Sequence, residues 1–167
     1  MSSSDHRRDA PASVIVHVLT VSDTRTLETD SSGRVIADRL QDAGHVVHGR
    51  TILKDEPEDV RARVAELAAA SEVDVVITTG GTGITARDGT FEAIDGLLTK
   101  RLPGFGEIFR MISYQQIGAA AMLSRATAGL VGRLVVIVLP GSENAVSLAM
   151  DELVVPELGH LVREARR

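Results

Sequence analysis

The chain has 167 residues, 44% hydrophobic and 25% charged, a balance that suits one folded domain and leaves no room for a second. It contains no cysteine, which excludes disulfides, thiolate metal sites and cysteine nucleophiles. With 18 basic against 23 acidic residues the net charge is -5, opposed to a non-specific grip on nucleic acid, and an aromatic content of 2% is too low to build a base-stacking platform.

Residues 1–12 are polar and short of apolar anchors, so they are expected to form a flexible tail ahead of a single domain over residues 13–167. The apolar runs at residues 14–19 and 134–139 fall far short of the ~20 residues that span a bilayer, and no cleavage pattern follows the first, so cytoplasm is the expected location. Residues 14–21 (VIVHVLTV) read as a strand buried on both faces. A long polar loop, residues 22–32, follows. Val35, Ile36 and Leu40 then recur at helical spacing until Gly44 stops the helix. Residues 45–53 have strand composition interrupted by Gly49, which predicts a shorter or more peripheral strand. Pro57 opens the next helix behind Asp55 and Glu56, with Val60, Val64, Leu67 and Ala68 as its buried stripe.

Residues 73–79 (VDVVITT) form the clearest strand signal, and after the run GGTGITARDGT, Thr90 is expected to cap a short helix reaching Leu98. Residues 103–116 carry a helical pattern with Phe105, Ile108, Phe109 and Ile112. Residues 126–131 and 134–139, separated by Gly132, are either a hairpin or two unrelated strands. Pro140, Gly141 and Ser142 start a helix, and Pro156 is expected to break or kink it before a terminal helical segment. The alternation of strands and helices predicts an α/β fold, a three-layer α/β/α arrangement on a mostly parallel central sheet with right-handed crossovers.

In such sheets ligands gather beyond the carboxyl ends of the strands. Three of these ends carry unusual sequence: Ser22 and Asp23; the run Thr79, Gly80, Gly81, Thr82 and Gly83 leading to Asp88; and Pro140, Gly141 and Ser142. Glycines there let backbone amides approach an oxyanion, although the same residues would serve a plain tight turn. The spacing is neither a dinucleotide fingerprint nor a Walker loop. Asp88 beside an anion cradle suggests an intervening cation, against the simpler reading of a helix N-terminal charge. Asp55 has capping as its simpler reading and Asp23 an Asx turn. If Asp55 and Asp88 converge they could hold Mg²⁺, which favours one or two carboxylates plus substrate phosphates. Ser142 suits either helix capping or an anion. His17 reads as a packed core residue, His45 and His48 as a poor zinc pair, and no hydrolase elbow is present.

Five ordered segments, VLTVSDTR (residues 18–25), TTGGTGITARD (78–88), LPGFGEIFRMIS (102–113), LSRATAG (123–129) and LPGS (139–142), resemble the MoaB/MogA family of molybdenum cofactor biosynthesis proteins, on the MoaB side. The resemblance implies Mg²⁺- and ATP-dependent adenylylation of molybdopterin, giving adenylyl-molybdopterin and pyrophosphate; the alternative it implies is a non-catalytic protein that binds and delivers molybdopterin. It assigns Thr79 to Gly83 to the pterin's phosphate and Asp55 and Asp88 to catalysis and metal. Ser22, Asp23, Pro140, Gly141 and Ser142 are assigned to the pocket. It also implies a homotrimer or a dimer of trimers, without nucleic-acid or membrane partners but with other proteins of the same biosynthesis as candidates.

Overall fold

A computed structural model describes residues 9–167; His6 and most of the expected tail lie outside the described residues. The chain runs β1 (Ile15–Val21), α1 (Ser31–Asp42), β2 (Val46–Leu53), α2 (Pro57–Ala70), β3 (Val75–Thr79), α3 (Thr90–Asp95) and β4 (Lys100–Arg101). It continues through α4 (Pro103–Ile117), a 3₁₀ segment (Gly118–Leu123), β5 (Thr127–Val131), β6 (Leu134–Leu139), α5 (Glu143–Ala149), a π turn (Met150–Val154) and α6 (Val155–Arg166). The strands form one sheet in the order β2-β1-β3-β6-β5-β4. The first four of these run parallel, β5 runs antiparallel to β6 and β4 antiparallel to β5, so β5 alone is reversed and residues 127–139 are a hairpin.

Side chains alternate across the central strands and separate two apolar layers. Val75, Ile77, Val135 and Ile137 face α1, α4, α5 and α6, where they pack with Ile36, Leu40, Phe109, Val146 and Leu158. Val76, Val136 and Val138 face α2 and α3, against Val60, Val64, Leu67 and Ile94. The chain goes from β1 out to β2 on one side and then back to β3 on the other. That reversal creates a crevice at the carboxyl ends of β1 and β3, the usual ligand position in this architecture. Pairing of Thr20 with Thr79 and of Thr79 with Leu139 brings the ends of β1, β3 and β6 level, so the three unusual segments leave the sheet side by side.

Several boundaries differ from the expected ones. Helix α1 begins at Ser31, because the buried Asp30 carboxylate accepts the Gly33 amide (2.9 Å) and caps it, shortening the preceding loop. Strand β2 is peripheral as expected but not short: it has eight residues, and the register slip opposite Val16 and His17 absorbs His48 as a bulge. Gly89, not Thr90, occupies the cap position of α3; Thr90 is its first helical residue and is fully buried, and the helix ends at Asp95, with Gly96 as its C-cap, short of Leu98. Pro156 neither breaks nor sharply ends the last helix. The π turn precedes it and places it in the first turn of α6, where its missing N–H is not needed.

Ahead of β1, residues 9–12 follow α6: a Cβ on Gly159 would lie 2.7 Å from the Pro11 carbonyl oxygen, so glycine is what permits this close approach. Among the described residues no helix is long and apolar enough to cross a membrane.

Candidate active site at the strand ends

The site has two lobes that share the ends of β1 and β3. The first is a cavity of about 240 Å³ bounded by Thr20, Ser22, Arg25, Ser32, Thr79, Gly80 and Gly141, with Asp30 at its base. Its walls are held by hydrogen bonds that tie distant segments together. Thr79 Oγ1 donates to the Pro140 carbonyl (2.8 Å) and Ser32 Oγ to the Gly141 carbonyl (2.8 Å). Gly80 has φ +95, and a Cβ there would sit 2.2 Å from the Val21 carbonyl oxygen, so only glycine lets β1 and β3 close on each other at this point. A Cβ on Gly141 would in turn lie 3.3 Å from Gly80 Cα, which puts the loop after β6 directly against the loop after β3. Ser142 is exposed at the rim, where its hydroxyl accepts the Ala145 amide (3.3 Å) as the cap of α5. Ser22 Oγ accepts the amides of Thr24 and Arg25 and shapes the turn out of β1.

Below this lobe, Asp30 is an anchor that the sequence pattern placed only in a polar loop. Its Oδ2 accepts Thr20 Oγ1 (2.8 Å) and an Arg50 guanidinium nitrogen (2.9 Å), so a buried carboxylate is partnered beneath a cavity whose other charged lining residue is Arg25. Arg25 crosses the lobe's edge, donating to Ser31 Oγ (3.0 Å). Outside it, a depression of about 460 Å³ carries Arg25, Arg50 and Lys54 together with Asp23, Ser22 and Leu27, three basic side chains against one acidic.

The second lobe is acidic. Asp55, buried at the end of β2, accepts the Gly89 amide (3.3 Å), and its own amide donates to Asp23 Oδ1 (3.1 Å). Burial pushes the Asp55 carboxyl up from the usual carboxylate range, and the charges of Asp88 and Asp23 push the same way. Asp88 accepts both the Thr85 hydroxyl (2.6 Å) and the Thr85 amide (3.0 Å), which hold it below that range. Arg87 spans the front of the lobe, donating to both Asp23 carboxylate oxygens (2.9 and 3.1 Å) and to Glu56 (2.7 Å); this fork holds Asp23 down at about 2. The structure therefore brings Asp23, Asp55 and Asp88 into one electrostatic group, and Gly80 with Gly141 into the adjoining cavity.

A hard cation fits the acidic lobe by one specific feature. A Cβ on Gly81, whose φ is +66, would stand 2.1 Å from Thr90 Oγ1 and 2.7 Å from Asp55 Oδ2, so both oxygens lean into the space the glycine leaves open. Thr90 Oγ1 is buried and has no hydrogen-bond partner. An orphan hydroxyl beside a buried carboxylate is an oxygen donor set. Among the described residues no three His, Asp or Glu side chains are grouped to hold a metal by themselves, so a cation here needs further oxygens from a ligand.

Arg125 braces the glycine loop from outside. It donates to the Thr82 carbonyl (2.9 Å) and to the Gly83 carbonyl, pairs with Glu92, and lies 5.2 Å over the Phe91 ring. Its residue type gives no hint of this task; the only sequence signal is its place in the LSRATAG segment. None of the described histidines, His17, His45, His48 and His160, is among the residues that line these cavities. His17 is buried among β2 side chains, with Nδ1 3.2 Å from His48 Nδ1 and Nε2 2.8 Å from Thr51 Oγ1, while His45 Nδ1 accepts the Val14 amide. Phe105 and Phe109 stack at 6.4 Å, and Phe109 is core.

This geometry can be set beside known proteins. The family described as "Probable molybdopterin binding domain" matches residues 17–160. The chain belongs to that family, the MoaB/MogA proteins. It is 51% identical over 168 residues to the molybdenum cofactor biosynthesis protein B of Bacillus anthracis, covering 100% of this chain and 99% of that one. A crystal structure of a molybdenum cofactor biosynthesis protein B superposes with a TM-score of 0.91 at 51% identity, over 95% of this chain and 99% of the other. The tungsten cofactor synthesizing protein MoaB from Pyrococcus furiosus superposes at 0.84 with 40% identity, over 95% of this chain and 100% of the other. The three-layer α/β/α expectation and the MoaB resemblance therefore both hold.

Proposed function

We propose that this MoaB-family chain acts in molybdenum cofactor biosynthesis as a molybdopterin adenylyltransferase that uses Mg²⁺ and ATP. The observation that carries the reading is the junction of a cavity walled by Gly80 and Gly141 and edged by Arg25 with a lobe holding Asp55 and Asp88, both at the carboxyl-end face of the parallel strands. Two phosphorylated substrates that repel each other call for this division: one lobe of backbone amides and hydroxyls for the pterin's phosphate, and an oxygen-rich lobe where a cation meets the nucleotide phosphates.

In this reading an oxygen of the pterin's terminal phosphate attacks the α-phosphorus of ATP. A new P–O bond forms, the bond from the α-phosphorus to the β-bridging oxygen breaks, and pyrophosphate leaves. The nucleophile is already an anion at neutral pH, so no protein base is required, which agrees with a cavity lining that holds no described histidine. The chain's task is alignment and charge management. Thr79, Gly80, Gly81, Thr82 and Gly83 line the pterin phosphate, with Arg125 holding the last two in place. Ser22, Asp23, Pro140, Gly141 and Ser142 shape the rim, and Asp55, Asp88 and the Thr90 hydroxyl provide the metal's protein oxygens. Mg²⁺ bound there supplies electrostatic stabilisation of the phosphate charge. The exposed apolar face of α4, with Ile108, Met111, Tyr114 and Ile117, supports assembly into a homotrimer or a dimer of trimers.

The test is incubation of purified protein with molybdopterin, Mg²⁺ and ATP while pyrophosphate is measured. The reading requires stoichiometric or greater release, and Asp88→Asn should lower it by about two to three orders of magnitude while leaving pterin binding intact. Tight pterin binding without pyrophosphate release in the wild type would replace catalysis with a delivery role.

A further inference from the structure

We propose that Arg87 makes metal and nucleotide binding interdependent: in the nucleotide-free protein it pairs with Asp23 and Glu56 beside Asp55 and Asp88, and it transfers to the nucleotide's phosphates when these arrive. The proposal rests on the Mg-ATP reading of the site. Its basis is the position of one guanidinium. Arg87 bridges the turn after β1 and the start of α2 by pairing with Asp23 and Glu56, and it precedes Asp88 in the chain. Both oxygens of Asp23 are engaged, one of them also by the Asp55 amide. A cation entering beside Asp55 and Asp88 thus meets an existing positive charge that already serves the neighbouring acids.

The pairing is built to be exchanged. The Arg87 side chain is 52% exposed, and exposed ion pairs contribute little net energy, so leaving Asp23 and Glu56 costs little. A polyphosphate offers the planar fork a bidentate, doubly charged partner in place of two separate carboxylates. Charged neighbours on the packed elements are Lys54 and Glu56 near α2, and Arg125, which is committed to Glu92 and the glycine loop. The buried, unpartnered hydroxyl of Thr90 independently marks the same lobe as one that offers an oxygen to a cation. When Arg87 turns to phosphate, Asp23 is freed and the local charge becomes more negative, which favours the cation; by linkage the cation then favours the nucleotide equally.

The experiment measures two affinities separately. Mn²⁺, as a spectroscopic substitute for Mg²⁺, is titrated into nucleotide-free protein and followed by electron paramagnetic resonance, and ATP binding is measured by equilibrium dialysis in EDTA. Arg87→Ala should tighten Mn²⁺ about fivefold or more and weaken metal-free ATP about tenfold. Arg87→Lys should hold Mn²⁺ near the wild-type value, because the charge is kept, and lose part of the ATP affinity, because the fork is gone. Thermal unfolding checks that each variant is folded, with Arg87→Gln as the substitute if Arg87→Ala is not. Unchanged Mn²⁺ affinity, or weakening of both ligands together, would reduce Arg87 to a structural clamp and overturn the proposal. If the wild type itself binds neither Mn²⁺ nor ATP, the underlying reading of the site fails, and this proposal with it.

Discussion

Gly81 and Gly132 have the same kind of backbone, with φ of +66 and +62, yet substitution should affect them differently. At Gly132, in the β5–β6 turn, an added Cβ meets nothing within 4 Å, so Gly132→Ala pays only the left-handed conformation, about 1 kcal/mol. At Gly81 the same methyl overlaps Thr90 Oγ1 at 2.1 Å and crowds Asp55 Oδ2 at 2.7 Å, both on buried residues. Gly81→Ala should therefore cost about 2–4 kcal/mol in urea unfolding and should also displace Asp55 and weaken Mn²⁺ binding, whereas Gly132→Ala leaves metal binding unchanged. Equal stability losses in the two variants would mean that the space beside Gly81 is not reserved. The contrast also shows why the glycine run alone left a tight turn and an anion cradle open as alternatives: φ is a local property, but what lies opposite the missing Cβ is supplied by α3 and the end of β2.

At the scale of elements, the sequence was legible wherever burial is two-sided. Val75–Thr79 and Leu134–Leu139 are apolar or threonine throughout, and the buried stripe of α2 appears at Val60, Val64 and Leu67 as its periodicity requires. What could not be read is what depends on a partner far along the chain: the capping role of Asp30 is visible only with Gly33 folded back and Arg50 beside it, and the grip of Arg125 only with the β3 loop at hand. The bulge in β2 is a similar case, and it carries a pH signature. By absorbing His48 it sets that ring against buried His17, which burial above all, with help from the charges of Arg63 and His48, lowers from 6.5 to about 4. The unfolded chain therefore binds a proton at His17 over a range in which the folded chain does not. Stability from this group is full above pH 6.5, declines as pH falls from 6.5 to about 4, and then levels, a loss of up to about 3 kcal/mol. Denaturant titrations across that range should show the slope, and His17→Gln should remove close to one proton's worth of it. A slope that survives in the variant would assign it to other groups.

Over the whole molecule, charge is distributed so that one surface stands apart. The chain carries a net charge of -5, yet residues 111–123 contain no charged side chain. Met111, Tyr114, Ile117, Met122 and Leu123 within this segment are more than half exposed, and Ile108 extends the face one turn back along α4. Water-exposed apolar area of this kind is costly unless covered, and an uncharged patch is where two copies of an acidic chain can meet without bringing like charges together. The homo-oligomer proposed above would cover this face with a second copy of the chain. A closed ring also accommodates it, since the strand-end site opens among the loops after β1, β3 and β6 and shares no residue with this segment. The proposed homotrimer or dimer of trimers requires that light scattering during size exclusion at micromolar concentration report three or six chains for the wild type. Met111→Glu combined with Met122→Glu places repelling charges on the face without touching the buried layers, so it should elute as a monomer with unchanged secondary structure. A wild type that is monomeric under these conditions, or a double variant that keeps the wild-type mass, would show that copies of this chain do not cover the α4 face.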